Sequence, residues 1–154
     1  MSAKQEDELG SEQAYRAVFE AAPDGILVVG ADGRILDLNP AAEQMFGYGK
    51  EELVGSEVET LVPAAARSAH RAERRAYVDE PHARPMGIGL ELRGVRRDGT
   101  EFPVEISLSP LEVDGETRVI SIVRDVTDRK RLRQFGAGAM QAAEEERRRI
   151  AREL

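Results

Sequence analysis

The 154-residue chain contains no cysteine and no tryptophan. Without thiols there can be no disulfide, thiolate metal site or cysteine nucleophile, and the composition suits a reducing compartment. Aromatic residues make up only 5% of the chain. No apolar run approaches the roughly 20 residues of a membrane span, and the opening MSAKQEDELGSEQ is acidic, unlike a secretion signal. A basic surface is lacking too: 22 Lys and Arg stand against 29 Asp and Glu, a formal charge of −7, with the arginines interleaved among acids. That balance argues against nucleic-acid binding. A cytoplasmic location without membrane contact is expected. What the chain does have is 41% hydrophobic residues, enough for a core. Its length fits one domain of about 100–150 residues plus extensions.

Residues 1–11 read as a polar tail. From Glu12 to Ala22, Tyr15, Val18, Phe19 and Ala22 recur at helical spacing until Pro23-Asp24-Gly25. Two short β-rich runs, Ile26 to Gly30 and Arg34 to Asn39, flank the hairpin signal Ala31-Asp32-Gly33. Asn39-Pro40 opens a helix as N-cap and first helical residue, and Gly47 ends it. Short helical pieces follow at Lys50 to Gly55 and Ser56 to Val62, then a charged helix from Pro63 to about Glu80. The remainder to Asp125 reads as three strands. The first alternates around Ile88, Leu90 and Leu92. After Asp98-Gly99, the second places Phe102, Val104, Ile106 and Leu108 on one face, with Glu101, Glu105, Ser107 and Ser109 on the other. After Asp114-Gly115, the third is apolar on both faces, so the Tyr15/Val18/Phe19 helix is expected to cover its outer side. The order predicts an α+β domain over 12–128: a five-stranded antiparallel sheet with helices on one face.

Three segments carry a family resemblance. FEAAPDGILVVGADGRILDLNPAAEQMFGYGKEELVG, RRDGTEFPVEISLSP and IVRDVTDRKR occur in that order, the last holding the junction Asp125-Val126-Thr127. Together they resemble a PAS domain across roughly residues 12–130. The resemblance implies a sheet cupping a pocket beneath short helices, in a module that senses a ligand, dimerises and signals through flanking helices. The ending AAEEERRRIAREL resembles the first helix of the dimerisation and phosphoacceptor domain of nitrate-sensor-like histidine kinases. The resemblance implies a sensory module cut just before the phosphoacceptor histidine, not an enzyme as it stands. Its partners would be a second copy and, through the kinase part, a response regulator.

A flavin photoreceptor needing a pocket cysteine is excluded. The haem-based oxygen sensors place a histidine three residues before a Gly-x-Gly, where Arg84 stands before Gly87; their following arginine is Leu90 here, and His82 is two residues out of register. No cofactor is therefore expected, with a haem sensor using His82 as one alternative and an interaction module with a vestigial pocket as another. His70, among charged neighbours, reads as a surface residue. Ser68 and His70 are two apart on a helix and cannot meet as a dyad. Gly87-Ile88-Gly89 lacks a third glycine and the helix that dinucleotide binding requires, and Glu101 and Glu105 read as a wet strand face. The pocket is expected to be lined by Ile26, Val28, Met45, Leu53, Met86, Ile88, Leu92, Val104, Ile106 and Ile122, an apolar set suited to a small apolar ligand. Arg84 or Arg67 could anchor a carboxylate.

Signal exit is expected through Asp125 and Thr127, an acid and a hydroxyl able to cap the next helix. That helix, 129–154, carries an imperfect coiled-coil seam including Leu132, Phe135, Ile150 and Leu154. Gly136 and Gly138 weaken it by about 1 kcal/mol each relative to alanine. Tyr15, Val18 and Phe19 complete the expected dimer contacts.

Overall fold

The structure, a computed structural model, describes residues 3–81, 84–86 and 92–128, with side chains for 10–81 and 92–128. Helix α1 (Ala3–Ala21) leads into strands β1 (Gly25–Gly30) and β2 (Ile35–Leu38). Helices α2 (Pro40–Phe46) and α3 (Lys50–Leu53), two 3-10 turns (Val58–Leu61 and Ala64–Ala66) and helix α4 (Arg67–Asp79) follow. Strands β3 (Arg84–Met86), β4 (Leu92–Val95), β5 (Glu101–Val113) and β6 (Glu116–Asp125) complete the described chain. The antiparallel sheet runs β2-β1-β6-β5-β3, with β4 also on β5.

Two sequence expectations change here. Helix α1 begins at Ala3, not Glu12, because the stretch read as a loose tail holds helix formers such as Ala3, Lys4, Gln5 and Glu6. The single strand read around Ile88 to Leu92 is two strands on the same edge of β5. Met86 and Leu92 are six residues apart, yet their partners Ile106 and Val104 are only two apart. Ile88 and Leu90 lie in the intervening stretch, outside the described residues.

The β5–β6 turn shows why the local sequence folds this way. Asp114 and Gly115 take φ of 52° and 81°, the paired positive values of a tight hairpin turn matched to strand twist. Asn39 organises the other end of the sheet. Fully buried, its Oδ1 accepts from the N–H groups of Ile26 (2.8 Å) and Ala42 (3.0 Å), and its Nδ2 donates to the Asp24 carbonyl (3.0 Å). It is the expected N-cap of α2 and also a tie between α2 and β1.

The core lies between the sheet's inner face and the helices. Leu27, Val29, Ile35, Leu38, Val104 and Val123 from the sheet meet Phe46, Leu53 and Leu61. Phe46 and Phe102 pack tilted at 60° with centroids 5.5 Å apart, a favoured aromatic geometry. Each such buried side chain contributes about 1.5–3 kcal/mol.

Strand pairing fixes which side is which. Ile26 opposes Ile122 and Val28 opposes Ile120, so these four share the outer face. The adjacent pairs Leu27–Ser121 and Val29–Val119 share the inner one. Helix α1 packs against α2, and it leaves Ile122 39% exposed. The expected cover over the outer face of β6 is therefore incomplete in this chain.

Candidate functional site

A partly open cleft of about 520 Å³ lies between the inner sheet face and α4, a size typical of small-molecule sites. Of the residues named from the sequence, Leu92, Val104 and Ile106 line it, joined by Leu27, Val29, Val119 and Val123. Ile26, Val28 and Ile122 do not: they sit on the outer face, one residue out of phase with the wall. Met45 and Leu53 pack in or against the core beneath the helices, also away from the cleft. Among the other expected lining residues, Ile88 lies outside the described chain, as does the side chain of Met86.

The opposite wall was missed by sequence reasoning. Residues Ala69, His70, Glu73, Arg74, Tyr77 and Val78 of α4 border the cleft, the three- and four-residue spacing of one helix face. A helix so rich in charge reads as solvated, with its polar face outward. The detectable signal was Tyr77 and Val78 in register with His70 and Arg74. Tyr77 is buried at 5% exposure.

Behind that wall sits Glu59, at 1% exposure. Arg74 donates from Nε (2.9 Å) and Nη2 (2.7 Å) to its Oε1. Its Oε2 faces His70 Nδ1 at 3.6 Å, too long for a hydrogen bond, and both atoms are buried without a partner. Burial pushes the His70 imidazole below its ordinary value, against the opposing pull of Glu59 and Glu73. His70 is thus a half-buried wall residue, not the surface residue expected. Arg67, weighed as a carboxylate anchor, instead donates from Nε to the carbonyls of Glu59 (2.9 Å) and Val62 (3.0 Å). The side chain of Arg84, the other candidate, and the whole of His82 lie outside the described residues.

Gly33 lets this cluster form. Its φ is +84°, and a Cβ there would fall 2.1 Å from the Arg74 guanidinium carbon. The arginine therefore lies directly over the β1–β2 turn. Gly94 is a second close approach, since a Cβ would come 3.1–3.2 Å from the Phe46 and Phe102 rings.

The exit junction is assembled by contacts from three directions. Asp125 Oδ1 accepts from the Thr127 N–H (2.9 Å) and hydroxyl. Arg96 donates from Nη2 to Asp125 Oδ2 (3.1 Å) and from Nη1 to the Met45 carbonyl (2.5 Å). Its guanidinium stacks 3.9 Å above the centre of the Phe102 ring. Burial tends to raise the Asp125 carboxyl, but Thr127 and Arg96 together outweigh it and hold the group below its ordinary value. Gly136 and Gly138, the other expected signalling positions, lie outside the described residues, as do the seam positions Leu132, Phe135, Ile150 and Leu154. Of the expected dimer contacts, Tyr15 and Val18 are 53% and 69% exposed, whereas Phe19 is buried at 2%. Phe19 stacks on Tyr15 of its own helix at 5.9 Å and belongs to the protomer's interior.

A PAS-domain family profile matches residues 23–128. The sensor protein FixL of Bradyrhizobium diazoefficiens is 34% identical over 119 residues, covering 76% of this chain and 23% of that protein. The sensor histidine kinase TmoS of Ectopseudomonas mendocina is 25% identical over 126 residues, 80% of this chain and 13% of that one. The crystal structure of a PAS domain from an HTR-like protein of Haloarcula marismortui superposes with a TM-score of 0.62 at 27% identity, covering 79% of this chain and 98% of that one. The chain belongs to the PAS domain family. It spans less than a quarter of the length of these curated relatives, and it is homologous to the PAS domains of sensor kinases. No helix among the described residues is long and apolar enough to cross a membrane.

Proposed function

We propose that the chain is a cytoplasmic, homodimeric sensory module of a two-component sensor histidine kinase. A small, largely apolar ligand in the α4–sheet cleft biases the Asp125–Thr127 junction, and the parent kinase passes the result to a response regulator. One observation carries this reading: the cleft and the junction share a continuous packed connection. Phe46 borders the cleft and packs on Phe102. Arg96 stacks on Phe102 and holds Asp125. A ligand that displaces Phe46 would move the group that fixes the start of the helix after β6.

Solution NMR tests it. Titrating apolar aromatics into the chain should shift the Thr127 and Asp128 amides as the cleft fills. In Arg96→Ala the cleft resonances should still respond while the junction amides no longer do. Equal junction responses in both proteins would refute the relay, and absence of any binding would refute the ligand.

A further inference from the structure

We infer that the ligand of this cleft is an uncharged, apolar body bearing one hydrogen-bond donor, and that His70 receives that donor through Nε2. The inference rests on the cleft being a ligand site and specifies its chemistry.

The two walls differ in kind. The sheet wall is mostly hydrocarbon, its polar members among the described residues being Ser121 and the mutually paired Arg93 and Glu101. The helix wall concentrates its polarity on α4, so a ligand lying flat on the sheet turns one edge toward His70. The two arginines bordering the cleft are each matched to a carboxylate: Arg74 to Glu59 at 2.7 Å and Arg93 to Glu101 at 3.5 Å. With those charges neutralised and Glu73 also present on the wall, a carboxylate or phosphate ligand finds no net positive field. A bare hydrocarbon would leave the imidazole's second nitrogen without a partner, at the cost of a desolvated acceptor.

The orientation of the ring follows from Glu59. Nδ1 is fully buried and faces the carboxylate oxygen Oε2. Even beyond hydrogen-bond distance, the negative charge of a carboxylate facing one ring nitrogen favours the tautomer with its proton there, which makes the other nitrogen the acceptor. Nδ1 being buried, the 27% of the side chain that stays exposed lies elsewhere on His70, and His70 borders the cleft. An acceptor at the polar wall of an apolar cleft selects a hydroxyl or N–H donor.

Three probes of one shape test this: 4-phenylphenol, 4-methylbiphenyl and biphenyl-4-carboxylate, titrated into the full chain and followed by NMR. The phenol should bind about tenfold more tightly than the hydrocarbon, the size of one neutral hydrogen bond in a desolvated site. It should also bind more tightly than the carboxylate. His70→Leu should erase the phenol's advantage while keeping hydrocarbon affinity, and His70→Gln, which retains an acceptor, should restore part of it. Equal binding of phenol and hydrocarbon, or preference for the carboxylate, would overturn donor recognition while leaving the cleft a ligand site. A phenol advantage that survives in His70→Leu would overturn the role of His70. Binding of none of the three would overturn both the inference and the ligand reading beneath it.

Discussion

Arg96 and Asp125 meet at 3.1 Å where the last strand hands over to the next helix, and the same guanidinium holds the Met45 carbonyl at 2.5 Å. A residue in the β4–β5 turn thereby joins the end of α2 to the exit of the sheet. Asp125 should make this joint sensitive to acid. Its carboxyl titrates below 3.8 in the folded chain. Its contribution is therefore present above 3.8 and disappears as pH falls through the folded value. Urea unfolding should find Asp125→Asn less stable than the parent by about 1–2 kcal/mol at pH 7, with the difference shrinking toward pH 2. A constant difference across that range would rule out this linkage.

The Glu59–Arg74 pair should show the asymmetry of buried charges. Arg74→Met leaves an enclosed carboxylate without its partner and should cost about 3–5 kcal/mol. Glu59→Leu combined with Arg74→Met should recover most of that loss, because hydrophobic replacement of both partners is often neutral. Chemical denaturation of the two single variants and the double variant decides the matter.

Gly33 and Arg74 should be coupled. Gly33→Ala meets both a positive φ and the arginine. In the Arg74→Met background only the backbone cost remains. A double-mutant cycle should give an interaction of about 0.5–3 kcal/mol, and simple additivity would show that the side chain moves aside freely.

His70 should impose the opposite kind of pH dependence from a histidine gaining an ion pair. Its folded value lies below 6.5, with Glu59, Glu73 and Arg74 as its charged neighbours. The unfolded chain thus takes up the proton first, and stability declines as pH drops from 6.5 toward the folded value. His70→Gln should flatten that part of the stability profile. Thermal melts between pH 7.5 and 5 measure it.

The outer sheet face and α1 should carry the proposed self-association. Val18 and Ile122 are exposed in the protomer, so Val18→Asp with Ile122→Asp should yield monomers by light scattering without lowering the melting temperature. A dimer that persists, or a protomer that unfolds, would place the interface elsewhere.

Much of this architecture was legible in the sequence where one signal dominated. Asp114-Gly115 and Asp98-Gly99 marked hairpins, Asn39-Pro40 marked the start of α2, and β5 alternates cleanly enough to show its inner face. The two central strands gave no such guide. Ile26, Leu27, Val28 and Val29 are all apolar, and in β6 Ser121 lies on the inner side while Ile122 lies outward. Hydrophobicity cannot choose a face when both are hydrophobic, so the expected wall residues Ile26, Val28 and Ile122 lie on the opposite face. The α4 wall failed for the converse reason. Its polar stripe turns inward because Glu59, fifteen positions from Arg74 and outside the helix, supplies a buried counter-charge that no local pattern reveals.

Asn39 has a further consequence for how the domain breathes. One side chain terminates the amides of Ile26 and Ala42 and caps the Asp24 carbonyl. Displacing Asn39 would release the Ile26 amide of β1 and the Ala42 amide of α2 together. Segments tied in this way exchange with solvent as one cooperative unit. The stretch from Asp24 to Ala42 is consequently expected to open as one piece, so that β1 and α2 share their protection from exchange.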